Sequence, residues 1–322
     1  LQTCRSNARP TGGPETSRYP ISSDGCIKSF TNHLETETAL SPRTIKFYAE
    51  TQHAVMAVLE EGERPTLPYS ISEPDIRWLL FDEFPRRNFS FHTQKGYIFA
   101  LNQIMRYYDN NAIGKMHIRW PNSDSPNVDW LTFEQSEQLL LHPMDSLQAL
   151  AVHFELCLGL RRGECLSMKL SQIEANHIRV LGKGRGGGKW RPVPFHRQTA
   201  GLIEDYLSDR AAIVKMAKKR RPSTQEPEEL FVANQLGGRI GPFSTEGWGW
   251  DRRIIIPLRE ALGFHFSNHT LRRTFGRTMY YVAKVDIVTL ARIMGHESTA
   301  MTLKYIGTDT DEMSAAMAKS PF

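Results

Sequence analysis

Tyr305 follows His296 by nine residues, and both lie downstream of His269 and Arg272, which stand together in a His-Thr-Leu-Arg run. A tyrosine with an ordinary pKa near ~10 is only about a thousandth ionised at pH 7, so a phenol acting as a nucleophile needs roughly 4 kcal/mol of help from nearby bases and cations. The histidines and arginines can give that help. Upstream come Arg161, in Gly-Leu-Arg-Arg-Gly-Glu, and Lys183, in Leu-Gly-Lys-Gly. Cutting a phosphodiester demands positive charge on the non-bridging oxygens, a nucleophile, and an acid for the departing alkoxide. A guanidinium fork grips two phosphate oxygens, which makes Arg161 and Arg272 the candidate clamps. His269 and Arg272 are three residues apart and share one helical face, so both can address one phosphate. His269 would then manage the tyrosine proton, His296 would hydrogen-bond the phosphate or assist as a base, and Lys183 would protonate the 5′ oxygen. Glu164, one helical turn after Arg161, is placed to orient it; the alternative is a plain ion pair worth about 0.2–0.5 kcal/mol. Taken singly, each residue has an ordinary reading: a tyrosine packed at a helix end, a surface arginine, a solubilising lysine on a hairpin.

Two other phosphate chemistries compete. The run Gly-Arg-Gly-Gly-Gly-Lys-Trp at 184–190 invites a nucleotide-binding reading, but it lacks the Walker spacing and the Ser/Thr after its lysine. Asp309, Asp311 and Glu312 superficially supply the carboxylates of a metal nuclease. They sit at the expected start of a short C-terminal helix, where acids suit the helix dipole, so capping is the expected role and no metal or cofactor is assigned. The four cysteines form no CxxC pair and read as reduced structural thiols.

The ordered set Arg161, Lys183, His269, Arg272, His296, Tyr305 resembles the site of the tyrosine recombinases, the phage integrase family: Arg, Lys, His-x-x-Arg, a Gly-His and a Tyr. The resemblance runs from about Ile27 to Tyr305, because Leu-Ser-Pro-Arg-Thr-Ile-Lys-Phe-Tyr at 40–48 also looks like the opening of that family's N-terminal DNA-binding domain. It implies a two-domain, Xer-like or integrase-like member without an arm-binding domain. Such an enzyme cleaves through a 3′-phosphotyrosine and passes the strand to a partner 5′-hydroxyl without metal or ATP. The implied partners are double-stranded DNA with inverted-repeat core sites, further copies of the chain in a tetrameric synapse, and an accessory directionality factor. Leu158, Arg273 and Met294 depart from the family pattern without removing a catalytic group, and Lys284 occupies a turn where the family often has glycine. The glycine extension after Lys183 leaves Lys189 as an alternative acid. Two other functions stay open: a topoisomerase of type IB, using the same chemistry to relax DNA, and a non-catalytic DNA-binding protein of the same fold.

The elements that must position these residues are mostly helical. The expected fold is mainly α with a small β component: a helical N-terminal core-binding domain followed by a mixed α/β catalytic domain. Residues 1–26 mix Ser, Thr, Gly, Pro and Arg without period and read as a flexible tail. The helical DNA-binding domain spans 27–120, with helices expected from Ser41-Pro42, from Ser72 and near 91–109. A polar, proline-containing linker is expected over 121–130, and the catalytic domain with a C-terminal tail helix over 131–322. Within the latter, Thr132 and Gln135 form a capping box, a helix through Leu147–Leu158 stops at Gly159, and 177–182 with 189–194 make a hairpin. Further helices are expected at 197–220, 245–262, 267–283, 286–294 and 298–306.

The chain of 322 residues has a net charge of +5, yet 161–221 holds 15 Lys/Arg against 5 Asp/Glu. Such a concentration suits a surface that contacts the DNA backbone, where each neutralised phosphate releases counterions. The candidate contacts are Arg43, Lys46 and Lys95 in the first domain and Arg185, Lys189 and Arg191 on the hairpin. No apolar run approaches the ~20 residues that span a bilayer and no secretory signal is evident, so a cytoplasmic protein is expected.

Overall fold

The computed structural model describes residues 19–120, 129–182, 188–235, 239–244, 247–307 and 317–318. The chain divides into two compact units, Leu1–Asp124 and Ser125–Phe322. The linker expected at 121–130 lies mostly outside the described residues, as do Lys183, Arg185 and all of the C-terminal tail beyond Gly307 except 317–318.

Among its described residues the elements of the first unit are all helical: α1 (Ser23–Glu37), α2 (Pro42–Glu61), α3 (Glu73–Trp78), α4 (Phe84–Arg86), α5 (Phe91–Tyr107) and α6 (Ala112–Lys115), with a π-turn over Leu79–Glu83 joining α3 to α4. Ser41 caps α2 by accepting from the Thr44 amide at 3.2 Å, and Pro42 fills the first helical position, where its missing N–H is no loss. Ile27, Phe30, Leu59, Ile76, Leu101 and Ile104 are among the side chains buried in its core. The tail reading of 1–26 is corrected at its end. Ser22 caps α1 through the Gly25 amide, Cys26 is fully buried, and Tyr19 stacks on Tyr69. The polar composition before Cys26 hid a helix whose apolar residues recur at 26, 27, 30 and 34.

The second unit comprises α7 (Phe133–Leu141), α8 (Ser146–Leu156), α9 (Arg162–Leu166), the hairpin β1 (His177–Leu181) and β2 (Trp190–Pro194), α10 (Arg197–Arg220), the hairpin β3 (Val232–Gln235) and β4 (Arg239–Pro242), α11 (Trp248–Trp250), α12 (Ile256–Leu262), α13 (Asn268–Arg277), α14 (Ile287–Met294) and α15 (Thr299–Ile306). Both hairpins are antiparallel, and β1 and β2 pair in a register that sets Val180 opposite Arg191. The β3–β4 hairpin is not among the sequence expectations. The core gathers Phe154, Tyr206, Phe231, Trp250 and Phe266 around α8 and α10, while Phe275, Leu290, Met294 and Ile306 close a smaller cluster under α13–α15.

Three turns set the site. The helix expected to run to Gly159 ends at Leu156, and Gly159 follows with φ +64°, sending the chain back so that Arg161 caps α9. A Cβ at Gly159 would stand 2.2 Å from the Phe275 ring, so glycine is required twice over. Lys284 is left-handed with φ +56° before α14, a conformation that strains a lysine by about 1 kcal/mol. Gly295, also left-handed, ends α14 and delivers His296.

Candidate active site

Arg161 precedes the short helix α9, and Glu164, the third residue of that helix, returns to cap it. The Arg161 amide and Nη1 donate to the two Glu164 carboxylate oxygens, each at 2.9 Å. Arg161 also donates from Nη1 to the Met294 carbonyl at 3.3 Å and from Nη2 to the Gly295 carbonyl at 3.2 Å. Its guanidinium therefore bridges the start of α9 and the end of α14, keeping a fifth of its side chain open to solvent.

Arg272 projects from α13 into the interior, 1% exposed. It donates to the carbonyls of Gly159 and Met294 and, at 3.2 Å, to Nε2 of His296. A guanidinium only donates, so His296 Nε2 is the acceptor and its proton sits on Nδ1. Nδ1 then donates to Thr302 Oγ1 at 2.8 Å, and Thr302 passes a longer bond to the Ser298 carbonyl. Burial, and then the positive charges of Arg272 and Arg161, press the His296 pKa down to about 4, so the ring is neutral at pH 7.

Tyr305 comes up from α15 into this group. Its hydroxyl lies 3.4 Å from Nδ1 of His269, its ring meets the His296 ring edge to face at 5.2 Å, and the Arg272 and Arg273 guanidiniums stand 5.7 and 5.4 Å from its centre. Burial raises the phenol pKa, and the charges of Arg272, Arg273 and Arg161 oppose that rise. His269 keeps an open edge to solvent, yet partial desolvation and then the charges of Arg273 and Arg272 lower its pKa. A neutral imidazole next to a protonated phenol is a base waiting for its acid.

Two buried carboxyls behind these groups behave oppositely. Glu155, fully enclosed on α8, has its pKa raised well above the ordinary value by desolvation. Glu164 is desolvated as well, but the hydrogen bonds and charge of Arg191 and the charge of Arg272 more than compensate, and its pKa is lowered. Glu164 is the anion around which the guanidiniums gather.

The structure thus brings together Arg161, His269, Arg272, His296 and Tyr305, with Glu164 behind them. Lys183 and Arg185 fall outside the described residues. Lys189 is exposed at the base of β2, and Arg43, Lys46 and Lys95 are exposed on the first unit, where Lys46 lies 3.7 Å from Glu50. The assignment of Arg191 as a DNA contact is overturned: the side chain is buried, donating from Nη1 and Nη2 to Glu164 at 2.9 and 2.8 Å and from Nε to the Ile293 carbonyl at 2.7 Å. Its signal lay in the hairpin's alternation, which puts Arg191 on the inward face with Val193. Sequence reasoning also missed Thr302, which fixes the His296 tautomer, and a second polar chain. In that chain Arg162 donates to Asp251, the Asn268 amide donates to Asp251, and the Trp250 indole donates to Asn268. It braces the start of α13, one residue before His269. No local signal marks it, because its members come from three distant segments. Among the described residues no group of three or more His, Cys, Asp or Glu is arranged to hold a metal ion, and no helix is long and apolar enough to cross a membrane.

A helical unit is thus followed by a mixed unit in which α13, the turn after α14 and α15 bring His269, Arg272, His296 and Tyr305 together with Arg161. The chain matches the phage integrase family over residues 129–312, more than half its length, and belongs to that family: it is a tyrosine recombinase. It is 24% identical to the tyrosine recombinase XerC of Histophilus somni over 91% of this chain and 96% of that protein. Among solved structures it resembles the XerH site-specific recombinase bound to palindromic difH substrate, with a TM-score of 0.64 at 19% identity, covering 93% of this chain and 85% of that one. It also resembles a lambda integrase dimer bound to a core site, with a TM-score of 0.60 at 18% identity, covering 88% of this chain and 94% of that one.

Proposed function

We propose that this chain is a site-specific DNA recombinase that cleaves and rejoins DNA through a 3′-phosphotyrosine on Tyr305. The observation that carries the reading is the Tyr305 hydroxyl placed 3.4 Å from His269 inside a pocket of arginine charge. In the first step the Tyr305 oxygen attacks the scissile phosphorus and its proton passes to Nδ1 of His269. Arg161 and Arg272 hold the non-bridging oxygens as charge builds on them. The bond to the 5′ oxygen breaks, and that oxygen takes a proton from Lys183, or from Lys189 if the glycine extension carries Lys183 out of reach. Strand exchange is the reverse reaction with a partner's 5′-hydroxyl, so the bond energy is kept and neither ATP nor a metal enters the scheme. His296, neutral with its Nδ1 proton committed to Thr302 and its Nε2 accepting from Arg272, would hold the Arg272 guanidinium in place for the phosphate and would donate to a phosphate oxygen itself only after Nε2 takes up a proton. The first unit would act as the core-type DNA-binding domain, with Arg43, Lys46 and Lys95 on phosphates. Two copies would bind an inverted-repeat site, and two such sites would meet in a synapse.

The test is a labelled duplex nicked so that the cleaved end diffuses away. The wild-type chain is expected to form a covalent adduct and to transfer the strand to an added 5′-hydroxyl end, while Tyr305→Phe binds the same duplex without adduct. A normal yield of adduct from that variant removes Tyr305 as the nucleophile. Adduct with relaxation but no transfer points to a topoisomerase, and binding with no wild-type adduct to a non-catalytic protein.

A further inference from the structure

We propose that Arg191 is a positioning residue for leaving-group protonation: its guanidinium fills the space between Gly182 and Gly295 and ties the base of the lysine-bearing hairpin to the turn that carries His296. The inference rests on the reading of this site as a phosphodiester-cleaving one and extends it to a residue outside the catalytic set.

All three guanidinium nitrogens of Arg191 are spent inside the protein, two on the Glu164 carboxylate and one on the Ile293 carbonyl. What the plane packs against is as telling. The position a Cβ would take at Gly182 is 3.3 Å from Nη1, and at Gly295 it is 2.8 Å. Gly182 precedes Lys183 in the chain, and Gly295 precedes His296. Gly182 also donates its amide to the Lys189 carbonyl at 2.9 Å, closing the base of the hairpin between the two candidate acids. One side chain therefore occupies the space on the Cβ side of both the glycine before the lysine and the glycine before the histidine, while its fork is fixed on the carboxylate that orients Arg161.

The clamps do not depend on Arg191 in the same degree. Arg161 retains Glu164 and the carbonyls of Met294 and Gly295, and Arg272 retains the carbonyls of Gly159 and Met294 together with His296. The hairpin base loses its hydrogen-bonded tie to the carbonyl end of α14 when Arg191 is changed. A lysine there keeps the charge but offers a single point in place of a planar fork, and cannot satisfy both Glu164 oxygens and Ile293 together. The step that suffers is the one the hairpin serves.

The experiment compares cleavage of two duplexes that differ only at the bridging 5′ position of the scissile phosphate, oxygen in one and sulfur in the other. A thiolate departs without a proton, so a defect in acid delivery disappears on the sulfur substrate. Arg191→Lys is expected to slow cleavage of the oxygen substrate by about tenfold or more and to run close to wild type on the sulfur substrate, with DNA affinity unchanged. Gly182→Ala, which crowds Nη1 from the other side and alters no charge, is expected to give the same selective pattern and decides the matter if Arg191→Lys does not fold. Equal slowing on both substrates, or wild-type rates on both, overturns the proposal. Absence of adduct from the wild-type chain on either substrate would instead defeat the phosphotyrosine reading, so the two failures are distinguishable.

Discussion

Replacing Glu164 by Gln keeps the shape of the side chain and removes the negative charge that Arg161, Arg191 and Arg272 share. The carboxylate receives four hydrogen bonds of 2.8–2.9 Å, two from Arg161 and two from Arg191, and Arg272 Nη1 lies 3.7 Å away. A glutamine amide retains one acceptor oxygen and turns an NH2 group toward N–H donors, so part of the set is lost and part becomes repulsive. Breaking a buried ion pair by altering one partner destabilises by about 3–5 kcal/mol, and because Arg161 keeps some solvent access the lower end, near 3 kcal/mol, is expected. The pH dependence provides a second signature. The folded-state pKa of Glu164 is depressed, so its contribution to stability is complete above the unfolded carboxylate pKa and is lost as pH falls through the lower folded value. Urea unfolding of wild type and variant should therefore show the full gap at pH 7 and a shrinking gap below about pH 5. Cleavage should fall by about a hundredfold or more as both clamps lose their common anchor. A gap under about 1 kcal/mol at pH 7, or one that persists unchanged into acid, would refute the view that Glu164 is the ionised hub of the site.

Gly159→Ala must hold a left-handed backbone at φ +64° and push its new methyl into the Phe275 ring, which together should destabilise the second unit by about 2–5 kcal/mol; hydrogen exchange of its helical amides measures this. Gly201→Ala, inside α10 with nothing within 4 Å of the added Cβ, should change stability in the opposite direction by about 0.5–1 kcal/mol, and a loss there would show that the helix does not tolerate the methyl. His296, with a folded pKa of about 4, binds its proton more readily when unfolded, so its share of stability is present above the ordinary histidine pKa and lost as pH falls toward 4. An NMR titration should accordingly find the His296 ring neutral from pH 8 down to about 5.5, and protonation near pH 6.5 would contradict the arginine-lined environment.

What could be read from the sequence was local. His269 and Arg272 occupy successive turns of one helix, Ser41-Pro42 and Thr132 with Gln135 are cap signatures, and the strands at 177–181 and 190–194 lie either side of a glycine-rich stretch of sequence, so each follows from residues a few positions apart. What could not be read is pairing across distance. Arg191 reads as a surface cation because charged residues usually face water, and although the alternation of the hairpin turns it inward, nothing within the hairpin says that Glu164 waits beneath it. Asp251 and Arg162 are hidden in the same way, and the four-residue strands of the second hairpin are too short for alternation to declare itself. This blind spot has a physical root. Isolated, a buried carboxylate or guanidinium is prohibitively expensive, so such groups exist only as sets, and a set is legible only once the fold has assembled it. Here the set leaves three guanidiniums against one carboxylate, a net of two positive charges behind the tyrosine. A phosphodiester carries one negative charge and, in the proposed reaction, gains a second as the phenol oxygen adds to phosphorus. The surplus answers that developing charge more fully than the ground state, and Glu164 can therefore be an anion in the middle of a phosphate site without opposing it.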